Sequence, residues 1–155
     1  MVKKLRGLAP LLVIVIGLLV LFYPTISNFL VMKNASRVVS NYDAAVEALS
    51  DEEYRSTTSA LTGAVNTEAT DAEYMKLLNL AGDGMMGYVT VPKLKETLPI
   101  YHGTSEKVLQ SGIGHLEQTS LPVGGASTHA ALSGHRGLPT AKLFTDLNLM
   151  KKGDK

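Results

Sequence analysis

The 155-residue chain contains no cysteine, which removes disulfides, thiolate metal ligands and any thiol nucleophile from its own chemistry. A surplus of charge is missing too: 15 Lys and Arg stand against 14 Asp and Glu, a formal net charge of +1. Neutralising nucleic-acid phosphates takes a dense basic stripe; none can be picked out, so nucleic acid is not an expected partner. Catalytic signatures are scarce. There is no G-x-S-x-G elbow. The four histidines, His102, His115, His129 and His135, lie 13, 14 and 6 residues apart, which matches neither H-E-x-x-H nor a zinc-finger pair. No internal repeat or low-complexity tract is present.

What the chain does have begins at its N-terminus. Between Arg6 and Lys33 the only ionisable side chain is the phenol of Tyr23, and Leu11 to Phe22 is apolar throughout apart from Gly17. A bilayer-spanning helix needs about 20 apolar residues, and Gly7 to Leu30 is long enough. Lys3, Lys4 and Arg6 crowd the start, which predicts a cytoplasmic N-terminus and an external remainder. Residues 1–32 therefore read as a membrane anchor. A cleaved secretory signal shares the charged start and apolar middle, but "YPTISNFL" carries bulky residues where a cleavage site needs small ones.

Residues 33–83 read as a helical stalk or cover. Val38, Tyr42, Ala45, Val46 and Leu49 recur at spacings of three and four, one apolar stripe on a helix. "SDEE" then offers Ser50 as N-cap with Glu53 at N3, a capping box opening a second helix through Tyr54 and Leu61. "TDAE" repeats the pattern with Thr70 and Glu73, predicting a third helix with Tyr74, Leu77, Leu78 and Ala81 on one face, ended by Gly82 and Gly84.

From residue 84 the texture becomes that of short strands and turns. "GYVTVPKL" is a strand ended by proline, and "ETLPIYHGT" a second, closed by Gly103. Glycine and proline punctuate "SGIGHLEQTSLPVGG", and Ala130 to Ser133 is a buried-strand candidate. This mainly β pattern fits a barrel or sandwich better than a parallel sheet. Leu143, Phe144, Leu147 and Met150 then predict a return to helix, stopped by Gly153.

Histidine is the residue type here that can pass protons near neutral pH. His102 and His115 each sit close to glycine and read as turn or hydrogen-bonding residues. His135, in "ALSGHRGLP", follows a small-residue strand end and precedes Arg136, Gly137 and Pro139, a strand-to-loop exit of the kind that carries functional groups. A nucleophile would have to come from elsewhere, because Ser133 is too close along the strand to be presumed its partner.

The segments "LPIYHGTSE", "GHLEQTSLPVGG" and "SGHRGLPTAKLFTDL", within a match from about Met86 to Asp154, closely resemble the first half of the catalytic domain of class C sortases, the pilus-assembling cysteine transpeptidases. The anchor and the "YDAAVEALSDEE" segment are similar to that family's N-terminal region. The resemblance implies a sortase-type antiparallel β-barrel, of which residues 84–155 would be the N-terminal part. It also implies an enzyme whose cysteine attacks an LPXTG-like sorting signal, and whose acyl-thioester is resolved by a lysine amine of the next pilin subunit. No cofactor or metal is implied. The histidine of the family's "GHRG" segment, a proton donor and acceptor, maps onto His135. A covalent intermediate divides one difficult amide exchange into two steps, and one imidazole can serve as acid in the first and base in the second.

Two features depart from that family pattern. Its cysteine and arginine stand well beyond the histidine, and neither has a counterpart here, so the 155 residues are expected to be an inactive N-terminal portion. About 70 residues of barrel with open strand edges also predict a marginal core. The family's Asp-Pro-aromatic plug is not assignable either, because "TGAVNTEATDAEYMKLLNLAGDGMMG" contains no proline. Two other readings stand beside the sortase: a membrane-tethered binding or structural module without catalysis, and a hydrolase using serine or a metal.

Overall fold

The computed structural model describes residues 2–53, 55–56 and 71–155. Helix α1 (Val2–Glu47) runs unbroken through both prolines, Pro10 and Pro24, and so crosses the expected boundary at residue 32. It is the one described helix long and apolar enough to cross a membrane, with a mean hydropathy of 2.3 over its best window. Its apolar run stands clear: Leu11 to Phe22 are all exposed. The second half is docked. Asn28 Oδ1 accepts the Lys142 backbone N–H at 2.9 Å, Ala35 is buried, and the Tyr42 hydroxyl donates to the Met86 carbonyl at 2.9 Å.

The predicted capping box forms. Ser50 Oγ accepts the Glu53 N–H at 3.3 Å, and Glu53 Oε2 accepts the Ser50 N–H at 3.0 Å and its hydroxyl at 2.7 Å. These bonds hold the Glu53 carboxyl below its usual range. Most of the helix expected to follow, Leu61 included, lies outside the described residues, as does Thr70.

The third helix is far shorter than expected. Helix α2 (Asp71–Tyr74) is a single turn, because Tyr74 turns into the core and Leu78 adopts a left-handed φ of 59°. Strand β1 (Met85–Val91) follows a tight entry in which Gly82 and Gly84 have positive φ. There Asn79 Oδ1 takes the Gly84 N–H and Asp83 Oδ1 takes the Met85 N–H. A register shift between Met85 and Gly87 makes a bulge, which lets two consecutive residues, Met85 and Met86, both be buried.

Strand β2 (Glu96–His102) pairs antiparallel with β1. Proline ends β1 as expected: Pro92–Leu94 forms a 3-10 turn and Lys95 takes a left-handed φ of 55°. Gly103, Ser105 and helix α3 (Glu106–Ser111) then carry the chain across, with Ser105 Oγ capping the Val108 N–H. The crossover brings strand β3 (Ile113–His115) back parallel to β2, since a same-direction return needs an intervening connection. Strand β4 (Leu132–Ser133) pairs antiparallel with β3. The four described strands thus form a mixed sheet in the order β1-β2-β3-β4. The candidate strand at Ala130–Ser133 contracts to its last two residues and is half-buried, because Ala131 instead spends its N–H on Thr119 Oγ1.

Leu98, Ile100, Ile113 and Met86 form the centre of the core, joined by Tyr74, Leu121, Ala141 and Leu143. Each such aliphatic side chain contributes roughly 1.5–3 kcal/mol on burial. The expected C-terminal α-helix is absent. Leu143 is buried with a left-handed φ of 40°, and only a 3-10 helix, Thr145–Leu149, follows. Burying Leu143 and seating Phe144 against Gly134 dictate this conformation over helical periodicity.

Candidate functional site

His135 stands where β4 exits into the loop that closes on Phe144. Its carbonyl accepts the Phe144 N–H at 3.1 Å, the Gly137 N–H goes to Thr145 Oγ1 at 3.0 Å, and a bridge joins Leu138 to Ala141. Three ties across one short loop fix the backbone that carries the imidazole. Gly134 is required by a close approach: a Cβ there would lie 2.7 Å from the Phe144 ring. The strand beneath is held by a similar requirement. A Cβ on Gly114, the residue paired with Ser133, would strike the Gly103 carbonyl oxygen.

The His135 side chain is 31% exposed, yet its Nε2 is shielded from solvent and makes no hydrogen bond among the described residues. Its nearest anion is Glu106 Oε1 at 3.7 Å, on the first turn of α3, 29 positions earlier. That distance is too long for a hydrogen bond. A shielded imidazole nitrogen beside a carboxylate, with no competing bond, is chemically suited to take or give a proton. No hydrogen bond links it to Ser133, and Arg136 is exposed. Sequence spacing contained no sign of Glu106, since nothing local ties residue 106 to residue 135.

The other histidines are engaged elsewhere. His115 and His102 are buried on β3 and β2, with the Tyr74 ring edge-on to His102 at 4.9 Å. The Tyr74 hydroxyl lies 2.9 Å from His115 Nδ1 and 3.2 Å from the His115 carbonyl, both of which can share its proton, and it accepts the Gly103 N–H at 3.0 Å. His115 Nε2 faces the Ser120 carbonyl at 2.9 Å. That carbonyl requires a proton on Nε2, leaving Nδ1 to accept the phenol. Burial pushes the Tyr74 phenol up and the His115 imidazole down. His102 places its ring nitrogens 3.1 Å from the Gly84 carbonyl and 2.7 Å from the Leu77 carbonyl. His102 and His115 are therefore hydrogen-bonding residues, as expected, and together with Tyr74 they pin the segment entering β1 onto the sheet. His129 is exposed, its backbone paired with Ser120.

Comparison with known proteins matches residues 89–155 to the sortase domain family model. Among solved structures, sortase C1 from Streptococcus agalactiae is 42% identical with a TM-score of 0.66, over 76% of this chain and 67% of that one. Sortase C from Streptococcus pneumoniae is 35% identical with a TM-score of 0.65, over 76% and 65%. A pilus-related sortase C of Group B Streptococcus is 33% identical with a TM-score of 0.66, over 75% and 66%. The chain thus spans about two thirds of the length of these relatives. No curated protein matches. At these identities and coverages the fold is that of the class C sortases, and the chain belongs to the sortase family.

Proposed function

We propose that this polypeptide is the membrane-anchored, histidine-bearing portion of a class C sortase acting on pilin subunits through LPXTG-like sorting signals. His135 exchanges the proton with a cysteine thiol supplied from outside residues 1–155, which contain none. It then protonates the leaving amine and deprotonates the incoming lysine amine. The apolar half of α1 holds the domain at the external face of the membrane, with Lys3, Lys4 and Arg6 on the cytoplasmic side. The observation that carries this reading is the shielded, unbonded His135 Nε2 on a scaffold of this family.

The test is cleavage of a fluorogenic LPXTG peptide by a chimera in which residues 1–155 are completed by the remaining C-terminal part of the Streptococcus agalactiae enzyme. The chimera is expected to cleave, the 155-residue chain alone to be inert, and His135→Ala to lose about 10²–10⁴-fold of the chimera's kcat/KM. Cleavage by the isolated chain, or a chimera indifferent to His135→Ala, would overturn the assignment. A second reading is a tethered module that holds the signal peptide without cutting it. It predicts peptide binding by the chain and an inert chimera.

A further inference from the structure

The docked half of α1 fixes which end of the domain faces the apolar half. Asn28, just after the exposed apolar run, is bonded to Lys142. Tyr42, 14 residues and about 21 Å further along the helix, is bonded to Met86 at the start of β1. The 3-10 turn that ends β1 packs against the 3-10 helix Thr145–Leu149, and Lys93 in that turn pairs with Asp154 at 2.5 Å. The turn at residues 92–95 and the segment from Lys142 to Asp154 are thus neighbours at the Asn28 end.

Charge is divided between the two ends. At the Asn28 end Lys93, Lys95, Lys142, Lys151 and Lys152 are all exposed, and Lys33 is exposed on the next turn of α1. The carboxylates there are few: Asp146 is paired with Lys142 at 3.4 Å, Asp154 with Lys93, and Glu96 is buried. The Tyr42 end carries Asp43, Glu47, Asp51, Glu52, Glu53, Glu73 and Asp83, against Arg37, Arg55, Lys76 and Lys107, which shares a hollow with Asp83. The near-neutral total of the chain therefore conceals a dipolar domain. Leu147 and Leu149, 39% and 54% exposed, sit among the lysines of the Asn28 end.

We propose that this lysine-rich end rests on the anionic lipid surface of the same bilayer that α1 crosses, with Leu147 and Leu149 at the headgroup level. The inference rests on the anchor reading above. Basic side chains within a Debye length of an anionic leaflet are drawn to it, and adjacent apolar side chains insert at the interface. The acidic end is repelled, so the attraction orients the domain as well as holding it.

The chain's lack of cysteine makes single-site labelling unambiguous. The variants Ile16→Cys, Leu149→Cys and Glu52→Cys of the 155-residue chain are labelled with an environment-sensitive fluorophore. They are placed in nanodiscs of phosphatidylcholine alone or with about one third phosphatidylglycerol. Nitroxide lipids then quench from mid-chain or from the headgroup. Position 16 is expected to be quenched by the mid-chain nitroxide in both lipids. With phosphatidylglycerol, headgroup quenching at 149 is expected to be several-fold that at 52, and Lys95→Glu/Lys151→Glu/Lys152→Glu should abolish the difference. If 16 is quenched while 149 and 52 behave alike, or if the triple variant changes nothing, the proposal fails and the anchor stands. If 16 is not quenched, the anchor reading fails and the proposal with it.

Discussion

Replacing Tyr74 by Phe isolates one hydroxyl in the centre of the molecule. The ring would keep its packing against His102 and the core, while the phenol's three partners would lose it: His115 Nδ1 and the Gly103 N–H, left buried and unbonded, and the His115 carbonyl. Each orphaned buried group costs about 1–3 kcal/mol. Because both share one hydroxyl and their losses are not additive, the expected destabilisation is about 2–4 kcal/mol. In a domain of this size that lowers the melting temperature by about 10–20 °C. The assay is guanidinium unfolding of the chain in nanodiscs, followed by circular dichroism, with amide exchange read at Gly103. Exchange there should accelerate in the variant, because the freed N–H loses its acceptor and the segment at residues 74–84 loses a tether. A loss below about 0.5 kcal/mol, with unchanged exchange at Gly103, would refute the reasoning.

Three other outcomes are expected. The imidazole of His115 is held below its ordinary value by burial, so the unfolded chain binds that proton first. Stability is then full above about pH 6.5 and declines as pH falls, by up to about 1.4 kcal/mol per pH unit. Denaturant midpoints between pH 7.5 and 5.5 should show this slope, and His115→Gln, though less stable, should lack that contribution. Gly134→Ala forces a methyl against the Phe144 ring and should cost about 1–3 kcal/mol. The same variant in the chimera should lower kcat/KM by displacing His135; unchanged stability and rate would mean the loop yields freely. Ser50→Ala removes a cap that accepts the Glu53 N–H and should cost about 0.5–2 kcal/mol locally. Faster proteolysis after residue 50 would report it, and an unchanged cleavage pattern would count against the cap's role.

Elements set by neighbouring residues were legible in the sequence. The capping box at Ser50 and Glu53 and the strand ended by Pro92 depend on chemistry within a few positions, and both formed. The helices expected over 70–81 and 143–153 obeyed the same periodicity but lost to tertiary demands. Tyr74 reaches a histidine 41 positions away, and Leu143 is buried only by leaving helical φ. The parallel pairing of β2 with β3 has no local signature, since it follows from where the α3 crossover returns the chain. For the candidate site, small residues and glycine around His135 marked a strand exit, and the structure supplies a reason in Gly134 beneath Phe144. Glu106 and the unbonded Nε2 emerge only in three dimensions.

Whether His135 serves a thiol that residues 1–155 do not contain is tested most directly by intact-mass analysis after exposure to an LPXTG peptide. The isolated chain should gain no mass, the completed chimera should gain one acyl group as a hydroxylamine-labile thioester, and the His135→Ala chimera should acylate at least about 100-fold more slowly. Acylation of the isolated chain, or equal acylation rates with and without His135, would contradict that role.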